Sequence, residues 1–242
     1  MIKNKIVSKI QCELRKKSSK QGIEKFKYFH KTEEGQYAAE DKFLGISVPD
    51  IRKVAKEFYK EIHLNEVVEI LHSEYHEERL CALIILVMKY DDNFNRKEIV
   101  KTYLDNTRYI NGWDLVDLSA PKIIGKYVYE TKNYEMLYNL AQSKDMWKQR
   151  ISIVSNWYLI QNNEFESILK IAEIHLHTKY DLIQKAVGWM LREIGKRNYD
   201  LEYNFLVTRY KKMPRTMLRY SIERFEKDTY KKFLKGEIND EL

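Results

Sequence analysis

The sequence contains little cysteine, proline or glycine. Only two cysteines occur in 242 residues, Cys12 and Cys81, and they lie far apart in the chain. We therefore expect neither a disulfide framework nor a structural zinc site, which is typical of proteins from a reducing compartment. Three prolines and eight glycines leave few positions at which a helix must be broken.

Long hydrophobic segments are also lacking. The longest apolar run covers residues 80–88, whereas a membrane-spanning helix needs about 20 such residues. The first seventeen residues, MIKNKIVSKIQCELRKK, are amphipathic and lack the apolar core of a signal peptide. We therefore expect a cytoplasmic protein that does not insert into membranes.

The apolar residues, 44% of the chain, recur mainly with the period of an α-helix. Ile51, Val54, Ala55 and Phe58 follow the i, i+3, i+4, i+7 pattern of one helix face. Comparable stripes begin at Leu80 and at Ile151. No segment of useful length alternates with period two, so the sequence predicts an all-α fold without strands.

Short polar breaks divide the chain into helical segments of about 10–18 residues. They fall at residues 91–95, 131–133 and 161–164, and a longer loop is expected over residues 32–48. Because short connections make neighbouring helices antiparallel, we predict helical hairpins at a period of about 35–40 residues from residue 48 onward. The favoured architecture is a single domain, residues 1–242, built as a stacked array of helical hairpins. An irregular helical bundle is the alternative.

Positive charge is concentrated at the two ends of the chain. Residues 1–31 carry a net charge of +8 and residues 192–235 carry +7, whereas residues 32–191 carry −5. Basic segments that fold together would form a surface for phosphate groups. Solvated lysine-rich helix faces are the alternative interpretation.

The most informative segment is NGWDLVDLSAPKIIG, residues 111–125. Trp113 and Asp117 are four residues apart, so both project from one helix face, while Asp114 points about 100° away. An indole ring attracts a cation and a carboxylate supplies its counter-charge. The pair is therefore a candidate site for a planar cation. A packed tryptophan beside an aspartate that pairs with a basic residue is the structural alternative.

Further candidates lie in the second half of the chain. Arg150 follows Trp147 by three residues and has the fork geometry that binds a phosphate. Trp189 lies beside Gly188, which permits the close approach of another helix or a ligand. The basic residues that we expect near phosphates are Arg192, Lys196, Arg197, Arg215 and Arg219. Internal ion pairs and core packing are the alternatives for all of them.

The histidines give only weak evidence for a metal-binding site. His72 and His76 have i, i+4 spacing, which can place two ligands on one helix face. No third ligand is evident in the sequence, so we predict neither a metal nor another cofactor.

Four segments resemble a known family. KFLGISVPDIRKV, GWDLVDLSAPKIIG, WKQRISIV and IQKAVGWMLREIGKR, in this order, are similar to segments of the DNA alkylation repair enzymes of the AlkD family. The resemblance covers residues 20–225, and its most specific parts are W-D-x-V-D and QKAxGWxLRE. It implies an all-α solenoid of HEAT-like helical-hairpin repeats with a concave basic groove. It also implies a DNA glycosylase that releases cationic N3- and N7-alkylpurines from double-stranded DNA.

The resemblance also assigns roles to individual residues. It implies that Asp117 is the catalytic carboxylate, that Trp113 and Trp189 contact the damaged nucleotide, and that Arg150 holds the neighbouring phosphate. Tyr37 would match a further aromatic residue of the family. The partner implied is alkylated duplex DNA, and we expect a monomer that associates with the nucleoid when it acts.

Gly112 departs from the family pattern, in which a second aromatic residue is expected before the tryptophan. The departure predicts a roomier site. It also keeps open a second function, a non-catalytic helical-repeat protein that binds damaged or structured nucleic acid. A protein-interaction scaffold without affinity for nucleic acid is a third.

Overall fold

A computed structural model describes residues 5–238. Within these residues the regular structure is helical, and one isolated bridge between Lys42 and Tyr75 is the sole β-type pairing. The predicted all-α fold is therefore confirmed. Not one of the helices in this range is both long and apolar enough to cross a membrane.

The chain divides into two compact units, Met1–Ser119 and Ala120–Leu242. The first unit contains six helices and most of a seventh. They are α1 (Lys5–Arg15), α2 (Lys20–Phe29), α3 (Val48–Phe58), α4 (Leu64–Leu71), α5 (His76–Asp91), α6 (Arg96–Asp105) and α7 (Trp113–Ala120). The expected long loop is confirmed between α2 and α3.

The second unit contains the remaining helices. They are α8 (Lys126–Thr131), α9 (Glu135–Ala141), α10 (Met146–Gln161), α11 (Glu166–Ile174), α12 (Asp181–Gly195), α13 (Tyr199–Val207), α14 (Arg215–Ser221) and α15 (Lys227–Lys235). The three predicted polar breaks all lie between helices. That the two units act as one domain stays a prediction.

The helices follow one another as hairpins. The leading helices of five successive hairpins begin at Leu64, Arg96, Glu135, Glu166 and Tyr199. The repeat is therefore 32, 39, 31 and 33 residues long, so one spacing falls within the predicted 35–40 and three are slightly shorter. The expected helical-repeat fold is confirmed.

Each unit is organised around a helix that is buried on more than one face. In the first unit, α3 and α4 both pack against α5, which is why residues 80–87 are buried without interruption. In the second unit, α10 packs against α9 and α12. The stripe of α3 is buried as predicted, at Ile51, Val54, Ala55 and Phe58, and α3 packs against α1 and α5.

A π-helical turn, Pro121–Gly125, links α7 to α8. Pro121 has no backbone N–H, so it removes the donor that a regular helix would direct to the carbonyl of Asp117. The turn widens where the proline falls, and such turns are frequent at functional sites. Gly125 is required next to it, because a Cβ there would lie 2.2 Å from the carbonyl oxygen of Ser155.

The second unit also buries an acidic side chain. Glu202 of α13 is 2% exposed, and its Oε1 has no hydrogen-bond partner within residues 5–238. Burial raises the pKa of Glu202 to about 9, although the positive charge of Arg192 acts in the opposite direction. Glu202 is therefore a neutral carboxylic acid in the folded protein at neutral pH.

We predict that Glu202→Gln stabilises the protein above neutral pH. The folded chain keeps the proton that the unfolded chain loses above about pH 4.5, so the wild-type free energy of unfolding falls as pH rises toward 9. The glutamine cannot titrate, and its advantage should reach the order of 2 kcal/mol at pH 8. Urea unfolding at pH 5, 7 and 8.5 measures this. Parallel pH profiles for the two proteins would show that Glu202 is ionised in the fold.

Candidate functional site

Trp113 and Asp117 both lie on α7, one turn apart, and both are half-buried. Their neighbours Leu115 and Val116 are fully buried and fix the other face of the helix in the core. The predicted spacing on one helix face is therefore confirmed. Burial raises the pKa of the Tyr103 hydroxyl, and the negative charge of Asp117 adds to this effect.

An aromatic wall runs from α2 to the start of α7. The ring of His30 is nearly parallel to that of Trp113, with centroids 5.5 Å apart. Phe26 lies nearly parallel to His30 at 5.8 Å. Because His30 ends α2, this contact ties the orientation of Trp113 to that helix.

A cavity of about 500 Å³ opens beside this wall, a size typical of ligand sites. Its lining comes from α2, the loop before α3, and the first turn of α7. It includes Phe26, Phe29, His30, Pro49, Trp113 and Asp114. Asp114 therefore faces this cavity beside Trp113, so the expectation that it points away from Trp113 is wrong, whereas Asp117 is not part of the lining.

A charged network lies beneath the aromatic wall. His76 donates from Nε2 to Asp114 at 2.8 Å and from Nδ1 to Asp41 at 3.3 Å. Arg79 donates to the same Asp41 oxygen at 2.7 Å, and Asn111 lies 3.4 Å from the other oxygen. Two carboxylates and two cations are thus brought together largely shielded from water, and Asp114 is the most exposed member at 19% of its side chain.

The network sets the ionisation of its members. Burial alone would lower the pKa of His76, but the hydrogen bonds to Asp114 and Asp41 outweigh it and raise the pKa to about 9. Burial acts to raise the pKa of each aspartate, yet contact with His76 leaves both values lowered. His30 makes no such bond, and burial lowers its pKa.

A buried glutamate shapes the loop beside the cavity. Glu77 accepts hydrogen bonds from the backbone N–H groups of Leu44, Gly45 and Ile46, at 2.9, 2.6 and 3.3 Å. Gly45 has a φ of +74°, which favours glycine. Gly22 of α2 lies against it so closely that a Cβ would be 2.1 Å from the Gly45 oxygen. The segment KFLGIS therefore has a structural role, because its fixed backbone supports one side of the cavity.

The expectation of a roomier site at Gly112 is wrong. A Cβ at this buried position would lie 2.9 Å from Asp114 Oδ1 and 3.0 Å from His76 Cε1. The space that a side chain would take is already filled by the histidine–aspartate pair. Gly112 is thus matched to His76, a partner that its own segment of sequence does not reveal.

The two-histidine spacing that suggested a metal site is also misleading. His72 caps the end of α4 and His76 begins α5, so the pair does not share a helix. His72 lies 2.6 Å from Asn106 and stacks on Tyr109.

Tyr37 is half-buried and meets the ring of His30 edge-on at 6.4 Å.

Arg150 and Trp189 lie in the second unit. Arg150 is 5% exposed, and its Nη1 donates to the carbonyl of Leu182 at 2.6 Å. The indole N–H of Trp189 donates to Glu193 at 3.1 Å and the ring is half-buried. Both side chains therefore have defined internal partners, and their roles toward DNA stay predictions.

Most of the basic candidates on α12 to α14 also have partners. Arg192 pairs with Glu223, Lys196 with Glu193 at 2.5 Å, and Arg197 with Gln161. Arg215 donates to the carbonyl of Leu234 at 2.7 Å. Apart from the partly buried Arg192, these side chains are exposed, as is Arg219. Exposed pairs of this kind contribute little energy, so phosphate groups can compete for the cations.

The hairpin repeats define the chain as a helical-repeat protein. Its helix α7 carries a tryptophan and an aspartate on one face, and this face is a candidate base-recognition site. A family model of the DNA alkylation repair enzyme matches residues 10–225. The chain therefore belongs to the family of DNA alkylation repair enzymes, which implies DNA as its substrate.

A solved structure agrees with the fold. It is described as a predicted DNA alkylation repair enzyme from Enterococcus faecalis, and it superposes with a TM-score of 0.67 at 18% sequence identity. The match covers 87% of this chain and 98% of that one. No curated protein matches the sequence.

We predict that His76→Asn destabilises the protein by about 3–5 kcal/mol, because Asp41 and Asp114 lose the cation that both contact. His72→Asn is the matched control. It removes one partly exposed hydrogen bond and should cost about 1 kcal/mol. Urea unfolding of metal-free samples at pH 7 compares them. Equal losses of unfolding free energy in the two variants would show that the His76 network is not a major source of stability.

Proposed function

We propose that the protein is a DNA glycosylase that excises cationic N3- and N7-alkylated purines, such as 3-methyladenine and 7-methylguanine, from double-stranded DNA. The observation that supports this most is the face of α7, on which Trp113 and Asp117 lie one turn apart, in a chain that belongs to the alkylation repair family. We further propose that the protein acts as a cytoplasmic monomer.

The chemistry fits a single carboxylate. An alkylated purine is already cationic, so the base leaves as a neutral molecule without a general acid. Positive charge then develops on the sugar, as in glycoside cleavage. A carboxylate beside the sugar stabilises this charge and can orient the attacking water. The indole ring attracts the cationic base before cleavage.

Asp117 is better suited to this role than Asp114. Asp114 is bonded to His76 and lies beneath the aromatic wall, so its charge is already balanced inside the protein. Asp117 lies on the same face as Trp113 and is half-buried. Partial burial strengthens the interaction between a carboxylate and a developing positive charge.

The second unit would supply contacts to DNA. We propose that Trp189 contacts the damaged nucleotide, as Trp113 does, and that Tyr37 is a further aromatic contact. Arg150 would hold the phosphate, and its bond to Leu182 would fix the plane of its guanidinium group. A basic groove formed by the exposed cations of α12 to α14 belongs to the same proposal.

The first test is base release from a methylated duplex. We expect Asp117→Asn to lower the single-turnover excision rate by about 100-fold or more, as expected when one group that stabilises the transition state is removed. Asp105→Asn, which changes an exposed aspartate of α6, should excise at the wild-type rate. Release of 7-methylguanine or 3-methyladenine is followed by chromatography.

Three results would contradict the proposal. Equal rates for wild type and Asp117→Asn would remove Asp117 from the chemistry. Tight, salt-dependent binding of the duplex by wild type without base release would support a non-catalytic nucleic-acid-binding protein. Failure to bind the duplex at all would favour a scaffold for other proteins.

The second test concerns the binding of backbone phosphates. We expect the combined change Lys196→Gln, Arg197→Gln and Arg219→Gln to weaken binding to all duplexes, damaged or not. The slope of log Kobs against log salt should become shallower by about 0.9 for each phosphate that the variant no longer neutralises. Lys53→Gln with Lys101→Gln, two exposed lysines of the first unit, is the control. An unchanged slope in the triple variant would show that DNA does not bind at these three cations.

A further inference from the structure

Three potential metal ligands meet at the base of the cavity beside Trp113. His30, His76 and Asp114 each offer one nitrogen or oxygen atom, and these atoms all lie within 4.8 Å of one another. They come from the end of α2, the start of α5 and the start of α7, so the fold gathers them from three separate segments.

The hydrogen-bonding capacity of the His30 imidazole is left unused within the described residues. His30 is 4% exposed, yet its Nδ1 has no hydrogen-bond partner within residues 5–238. Its Nε2 lies 3.8 Å from Asp114 Oδ2, which is beyond hydrogen-bonding distance. Nε2 is the ring nitrogen that faces Asp114 and is therefore the candidate metal ligand, whereas Nδ1 points elsewhere.

The separations suit a small metal ion. Zinc binds nitrogen and carboxylate oxygen at about 2.0–2.2 Å, which places neighbouring ligand atoms of a tetrahedral site about 3.3 Å apart. The distances from Asp114 Oδ2 to the ring nitrogens of His76 and His30 are 2.8 and 3.8 Å. Zinc would replace the proton that His76 Nε2 donates to Asp114, and this proton would be released to water. Small shifts of the side chains would then open the 2.8 Å contact to about 3.3 Å.

The surroundings resemble the outer shell of a metal centre. A metal-bound histidine usually directs its other ring nitrogen to a carboxylate, which fixes the ring. Here His76 Nδ1 faces Asp41, and Arg79 holds Asp41 from the other side. His30 and Asp114 also line the cavity, which leaves room for a water molecule as the fourth ligand.

We propose that His30, His76 and Asp114 form a binding site for one divalent zinc ion, with a fourth position open to the cavity. Two imidazoles with one carboxylate favour zinc or a similar first-row ion over magnesium and calcium, which prefer oxygen ligands. Base excision as proposed above needs no metal, so failure of one proposal would leave the other unaffected.

The site is tested by titrating the full-length, chelator-treated protein with Co²⁺. We expect one Co²⁺ per chain, with the visible absorption of a four-coordinate nitrogen and oxygen site, and its displacement by Zn²⁺. His30→Phe keeps the stacking against Trp113 and removes the nitrogen ligands, so the absorption should disappear. Asp41→Asn, which changes only the outer shell, should weaken binding by about 10- to 100-fold.

His72→Asn is the matched control and should bind Co²⁺ as wild type does. Absence of the absorption in wild type would overturn the proposal, and so would its persistence in His30→Phe or its loss in His72→Asn. X-ray absorption of the zinc-loaded wild type gives a check that needs no variant. We expect two imidazole ligands and an oxygen at about 2.0–2.2 Å, and a sulfur ligand would contradict the assignment.

Discussion

The first unit depends on one buried interaction, the contact of His76 with both Asp41 and Asp114. The histidine begins α5, Asp41 lies in the long loop after α2, and Asp114 lies in the first turn of α7. Each partner alone would be an expensive buried charge. Together they are balanced, and Arg79 completes the balance at Asp41. One side chain thus joins a loop and a helix to the helix at the centre of the unit.

This interaction places the candidate site. Because Asp114 is fixed, the first turn of α7 is fixed, and Trp113 is directed onto His30 and the cavity. Asp117 follows one turn later, before the π-helical turn that begins at Pro121. Glu77, the neighbour of His76, holds the loop at residues 44–46. Two adjacent residues of α5 therefore organise both sides of the cavity.

Much of the fold could be predicted from the sequence because its signals are local. The stripe at Ile51, Val54, Ala55 and Phe58 and the polar breaks between helices depend on neighbours in the chain, and both are confirmed. The helix face shared by Trp113 and Asp117 follows from their spacing alone. The single-face stripes predicted at Leu80 and Ile151 are wrong, because α5 and α10 are buried on several faces and their partners do not follow from one stripe.

The polar network could not be predicted, because its members come from distant segments. His30, Asp41 and Asp114 meet His76 only after the chain has folded. The spacing of His72 and His76 suggested a shared helix face, but the break between α4 and α5 falls between them. Gly112 appeared to leave space because the side chain that fills it, His76, is remote in sequence. A histidine and three charged residues at 76–79, just before an apolar run, were the available signal that α5 begins with buried polar groups.

The central claim is that the face of α7 formed by Trp113 and Asp117 receives the damaged nucleotide. A crystal structure of the protein bound to a duplex that carries a non-cleavable cationic purine nucleotide tests it most directly. The account predicts the cationic base within about 6 Å of the Trp113 ring, with the carboxylate of Asp117 beside the sugar carbon that bears the base. A lesion bound away from α7, with Asp117 turned from the sugar, would contradict the account.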